Sequence, residues 1–190
     1  VLAIVAALVV FELTALPRPL FSAAVPSVYR TLAADPRDVS VLDLPFGLRD
    51  GLVTYGAFTP ASQFYQTVHG KPIIGGYLSR ISAIKLTFYR TDPFLRALLD
   101  LSEGQTIAPS ERAAAIAAAP AFLASSHLGY VVIDTAHTSA PLQSLAIDAL
   151  GLTTVASGDG RVLYEPASTP RPTSARPATS FMQPSPPVAI

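Results

Sequence analysis

Two short apolar runs constrain this chain more than any other feature: VSVLDLPF at 39–46 and GYVVID at 129–134. Neither alternates in the manner of a half-exposed strand, and both are too short for a packed helix. Each is bounded by Pro, Gly or Asp, the pattern of a strand buried on both faces. Helical patterns surround them. VPSVYRTLAADP spaces Val28, Leu32 and Ala33 for one helix face and stops at Asp35-Pro36. A helix is expected near 61–68. TDPFLRALLDLSEG has Asp92 to cap it, Pro93 in its first turn and Gly104 to close it. APSERAAAIAAAPAFLASSH reads as two alanine-rich helical pieces, capped by Ser110 and broken at Pro120. ISAIKLTFY is open between strand and helix. SAPLQSLAIDALG reads as a helix closed by Gly151. TTVASGDGRVLYEP reads as a β-hairpin turning at Gly158-Asp159-Gly160. The expected fold is therefore α/β: a small domain over 25–166 with a short, partly parallel sheet and a C-terminal β-hairpin.

The amino terminus adds a different constraint. Val1 to Phe11 are eleven consecutive apolar residues, followed by Glu12, Leu13 to Leu16 and the helix-ending Pro17 and Pro19. There is no initiating Met or basic leader, which disfavours a signal peptide. Sixteen helical residues reach roughly 24 Å, short of a ~30 Å hydrocarbon core. Residues 1–16 are expected to be the last turns of a transmembrane helix that begins before Val1. A buried core helix is the alternative. Half of the 190 residues are hydrophobic and 14% are charged, which suits association with a lipid bilayer. Net charge is zero and no basic face is visible, so no nucleic-acid partner is expected. The absence of Cys excludes disulfides, thiolate metal sites and cysteine nucleophiles. From 167 to 190 the chain is mostly Pro, Ser, Thr and Ala, and disorder is expected there.

Polar chemistry concentrates in QFYQTVHGKPIIGGYLSR, residues 63–80. Gln66, His69, Lys71, Tyr77 and Arg80 are candidates for an edge that binds a sugar or phosphate. Tyr65 or Tyr77 would stack on a sugar face, and Lys71 or Arg80 would meet a phosphate beside glycine amides. The competing reading is a structural loop, turned by Gly70, Gly75 and Gly76 and tied down by its own polar groups. A nucleotide phosphate loop is excluded, because Tyr65 stands where the first glycine is required and Pro72 where Ser or Thr is required.

Asp43 and Asp134 each end one of the two buried strands. Were those strands parallel neighbours, both carboxylates, with His137 close by, would face one crevice at the strand ends and could bind a sugar, hold a metal or act as acid and base. The favoured alternative is that each Asp caps the loop that follows. His69, His127 and His137 lack zinc-like spacing, and the G-x-S-x-G elbow of hydrolases is missing. No metal or cofactor is expected.

Three motifs together carry a family resemblance: VVFELTALPRP; VLDLPFG followed by YQTVHGKPIIGGYLSR; and ALGLTTVASGDGRVLYEP. Over residues 1–166 the chain resembles the C-terminal region of bacterial polytopic membrane proteins of the GT-C glycosyltransferase class. It is similar to family 39-like and other mannosyl- and arabinosyltransferases that use lipid-linked sugars. The resemblance implies a polyprenyl-phosphate sugar donor and a glycan or protein acceptor. It also implies a plasma-membrane location with the soluble domain on the extracytoplasmic side. The catalytic carboxylate of such enzymes lies in an early loop outside these residues, so no catalytic residue is carried over and this portion by itself is expected to be inactive. The domain would assist donor or acceptor binding. The alternative is a non-enzymatic, membrane-anchored module for binding or assembly at the cell surface.

Overall fold

The computed structural model describes residues 2–13 and 23–167. The expected disorder of the tail falls almost wholly outside them. Helix α1 is Leu2–Leu13. Its described side chains, Ile4, Val5, Leu8, Val9, Val10 and Phe11 among them, are all exposed. Among the described residues no helix is long and apolar enough to cross a membrane.

The two apolar runs become β1 (Ser40–Leu44) and β6 (Leu128–Asp134), buried at every position. They are direct parallel neighbours in a five-stranded sheet, order β4-β1-β6-β8-β7. Strand β4 (Ile73–Ile74) lies parallel to β1 on its other side. The hairpin β7 (Thr153–Gly158) and β8 (Arg161–Glu165) adds antiparallel to β6. Its turn places Asp159 and Gly160 at φ 54° and 73°, the two left-handed positions of a tight hairpin turn. The Asp159 carboxylate also accepts the Ser27 N–H at 3.0 Å, tying the turn to the start of α2 (Ser27–Ala34).

Alternation along β1 and β6 sends side chains to two separate cores. Leu42, Leu44, Val131 and Ile133 pack against α5 (Pro93–Ser102), α6 (Pro109–Ser126) and α7 (Ala140–Leu150). Val41, Tyr130 and Val132 pack against α2, with Tyr65 of α3 (Ala61–His69). The result is a helix–sheet–helix sandwich, the expected α/β class with its partly parallel sheet and terminal hairpin.

Two local expectations are corrected. Helix α6 runs unbroken through Pro120, which sits on its exposed side. Ala115, Ala119, Phe122 and Leu123 are buried on the opposite side, and that burial offsets the backbone hydrogen bond Pro120 cannot make. Its start is also earlier than Ser110: Ala108 is the capping residue, and Glu111 reaches back to accept the Ala108 N–H at 2.9 Å. The open segment ISAIKLTFY is helical, as α4 (Ala83–Thr91), capped by the Ser82 hydroxyl. Asp92 caps α5 as expected, accepting the Leu95 N–H at 2.9 Å.

A second, three-stranded sheet has no counterpart in the sequence reading. It consists of β3 (Thr54–Gly56), β2 (Gly47–Arg49) and β5 (Gly76–Tyr77) in that order. The 63–80 stretch bridges both sheets: it forms α3, turns at Gly70, gives β4 to the main sheet and then β5 to the small one.

Candidate functional site

Because β1 and β6 are parallel and adjacent, their carboxyl ends open onto one crevice. Asp43 and Asp134 both line it, with Tyr29, Thr59, Ser62 and Arg161. The enclosed space is about 10 Å³, room for roughly one water or one hydroxyl group. In an open α/β sheet this is where ligands gather.

The two carboxylates differ in their surroundings. Asp134 is fully engaged. One oxygen accepts the Ala136 N–H at 3.1 Å and lies 3.0 Å from His137 Nδ1; the other accepts Arg161 Nη2 at 3.0 Å. The loop-capping role weighed for it is thus real, and it is combined with a place in the crevice. Asp43 is buried, and its Oδ1 accepts the Tyr29 hydroxyl at 2.8 Å. Its Oδ2 has no hydrogen-bond partner among the described residues. Burial pushes the Asp43 carboxyl up to about 6; the Tyr29 hydrogen bond and the Arg161 charge pull the other way, and Asp134 adds to the rise. Tyr29, buried beside that carboxylate, is raised well above the usual phenol range.

An aromatic stack supports these groups. Tyr29 and Tyr65 lie with ring centroids 4.5 Å apart, and the Arg161 guanidinium sits 5.2 Å from the Tyr65 ring centre. Tyr65 is therefore buried between protein partners and offers no open face for a sugar. His69 stacks on Tyr29 at 5.8 Å. Its Nδ1 accepts the Lys71 N–H at 3.1 Å, which places the ring proton on Nε2, an atom without a partner among the described residues. Burial, and then the nearby Lys71 charge, bring His69 down to about 4, so the ring is neutral at physiological pH.

The other residues of the polar stretch lie elsewhere. Lys71 is buried, and its ammonium donates to the carbonyls of Asp35 at 2.8 Å and Arg37 at 2.7 Å. Gln66 donates to the Lys71 carbonyl at 3.2 Å. These two side chains fasten the loop rather than line the crevice. Tyr77 and Arg80 are exposed beside the small sheet, away from the crevice lining. Lys71→Met is expected to cost about 2 kcal/mol, because two partly buried carbonyls lose a charged donor. Urea denaturation measures it, and a change under about 0.5 kcal/mol would mean the ammonium has no structural role.

Among the described residues no group of three or more acidic, His or Cys side chains is arranged to hold a metal ion. Sequence reasoning missed Tyr29 and Arg161. Arg161 had a usable signal: it opens the second hairpin strand, where antiparallel pairing with a buried strand sets it opposite Asp134. Tyr29 had none, since its bond to Asp43 depends on how α2 packs against the sheet. No family model matches this chain, and neither a curated protein nor a solved structure matches it.

Proposed function

We propose that residues 25–166 hold a sugar-bearing ligand, donor or acceptor, for a membrane enzyme of the GT-C kind. The crevice between β1 and β6 is the point where one ligand hydroxyl enters. A single observation carries this reading: the buried Asp43 oxygen with no partner, beside a hollow of about 10 Å³. A hydroxyl donor placed there would satisfy it, and the size of the hollow restricts the contact to one such group.

The energetics support a ligand role over a structural one. Raising the carboxyl from 3.8 to about 6 makes ionised Asp43 a cost on the order of 3 kcal/mol at neutral pH. An Asn would accept the same Tyr29 hydrogen bond without that cost. Asp43→Asn is therefore expected to raise stability by up to about 3 kcal/mol at pH 7.5. The gain is absent near pH 4. With its folded pKa raised, Asp43 favours folding on acidification, and stability falls as pH rises from 3.8 to about 6. His69 has the opposite slope, because its folded pKa is depressed and stability falls as pH drops from 6.5 toward 4. The two slopes nearly cancel in the natural chain. Asp43→Asn removes the Asp43 slope and leaves the acid-side loss from His69 uncompensated, and thermal melts from pH 4 to 7.5 should show it.

Binding tests the reading itself. The chain has no Trp, so tyrosine fluorescence follows titration with methyl mannoside, methyl arabinoside and farnesyl phosphate. The natural chain should bind at least one of these, and Asp43→Asn should weaken it by at least about tenfold. Equal binding by both proteins overturns the reading. Failure of every probe would favour the second reading, a non-enzymatic surface module. That reading draws on the internal use of Gln66, His69 and Lys71 as loop ties.

A further inference from the structure

We infer that the corner formed by the small sheet and α4 docks on an anionic bilayer surface, with its apolar tips inserted at the headgroup level. This deepens the membrane side of the reading above and rests on it; the crevice is not involved. Hydrogen bonds assemble the corner. Arg49 pairs with Thr54 on β3 and with Tyr77 on β5, and its carbonyl accepts the Leu78 N–H at 2.8 Å. Asp50 gathers the next layer, its carboxylate accepting the backbone N–H groups of Leu52, Val53 and Ile81. Helix α4 begins two residues later.

This architecture holds large apolar side chains in water. Leu52 at the β2–β3 tip is 84% exposed and Ile84 in the first turn of α4 is 86% exposed. Phe88, one turn after Ile84 on the same helix face, is 52% exposed, and Tyr77 is 45% exposed. No residue of α4 is fully buried. An exposed apolar cluster fixed on rigid backbone marks an interaction surface.

Charge selects the occupant. Arg49, Arg80 and Lys85 are exposed around these tips, and Arg49 lies 5.9 Å from the Tyr77 ring centre. The corner's carboxylate, Asp50, is turned inward, and its backbone hydrogen bonds hold it below the usual carboxylate range. Apolar tips ringed by cations complement anionic headgroups, which attract each basic residue while the tips enter the acyl boundary. The exposed, apolar α1 on the same chain supplies a tether to the same phase.

The cysteine-free sequence makes the test direct. Single Cys variants Ile84→Cys, Val9→Cys and Val155→Cys carry an environment-sensitive fluorophore. Val155 is exposed on β7, at the sheet edge opposite β4, and serves as the distant control. The full chain is mixed with phosphatidylcholine vesicles containing about 30 mol % phosphatidylglycerol. The label at 84 should shift blue and be quenched by spin-labelled lipid at least about threefold more than the label at 155. Changing Arg49, Arg80 and Lys85 together to Gln should weaken the signal at 84 by about fivefold for each charge removed. A response at 9 with silence at 84 overturns docking while membrane association stands. Silence at both overturns docking and the membrane reading together. A signal at 84 that appears without vesicles and grows with protein concentration identifies a second copy as the occupant, and also overturns docking on lipid.

Discussion

Arg161→Ala is expected to destabilise the domain by about 3–5 kcal/mol at pH 7.5. The guanidinium is the cationic partner of Asp134 at 3.0 Å, and its charge also lowers the pKa of Asp43. The Arg161 and Asp134 side chains are 16% and 12% exposed, so solvent screens the pair little. Removing Arg161 leaves the buried Asp134 Oδ2 without its cation, and the Tyr65 ring loses the cation that packs on it. The sign of the pH dependence follows from Asp43. Without Arg161 its folded pKa rises further above its unfolded value, so ionising it costs more. Acidification below about 6 removes that charge, and part of the loss should return at pH 5. Arg161→Lys keeps the charge without the planar fork and should fall between the two. Urea unfolding at pH 7.5 and pH 5 decides it. A loss under about 1 kcal/mol, equal at both pH values, would show that the crevice carboxylates do not depend on Arg161.

Gly56→Ala is expected to cost about 4 kcal/mol, while Gly70→Ala costs about 1–2 kcal/mol. Both glycines sit in the left-handed region, at φ 70° and 67°. They differ in what a methyl group would meet. At Gly70 there is nothing within 4 Å, leaving only the conformational penalty. At Gly56 the new carbon would lie 2.2 Å from the Phe46 carbonyl oxygen and 2.9 Å from Leu99 Cδ2. That carbonyl already accepts the Ala57 N–H at 3.0 Å, so it cannot retreat without losing the bond. Gly56 N–H also donates to Glu103 Oε1 at 2.7 Å, which anchors the small sheet to the end of α5. Chemical denaturation of the two variants side by side separates strain from collision. Similar losses would mean that β2 and β3 can move apart at little cost.

The site was half legible. Asp43 and Asp134 stood out because a charged residue at the end of an apolar run must find a partner or a role. The polar stretch 63–80 stood out for its composition, and most of its groups proved to act on the chain itself. Lys71 bonds carbonyls more than thirty residues earlier in sequence, and Gln66 bonds the loop that follows α3. A loop rich in donors looks the same in sequence whether it faces a ligand or its own backbone, because only the tertiary partner distinguishes them. The small sheet was illegible for another reason. Its strands are two or three residues long, too short for any alternation to register.

The sequence by itself determined the class of the domain. Apolar runs of strand length, helical spacing between them, Asp92-Pro93, Gly151 and the GDG turn are local signals, and local physics was enough to read them. The tertiary structure decided what those elements do together. Strand order set β1 beside β6 and so brought Asp43 within one crevice of Asp134. Helix α2 placed the Tyr29 hydroxyl on Asp43, and the hairpin register placed Arg161 opposite Asp134. Burial through long-range packing carried α6 past Pro120. Each of these outcomes depends on contacts between segments far apart along the chain. The partners stand 14 residues apart for Tyr29 and Asp43 and 27 for Asp134 and Arg161, beyond the reach of local signals.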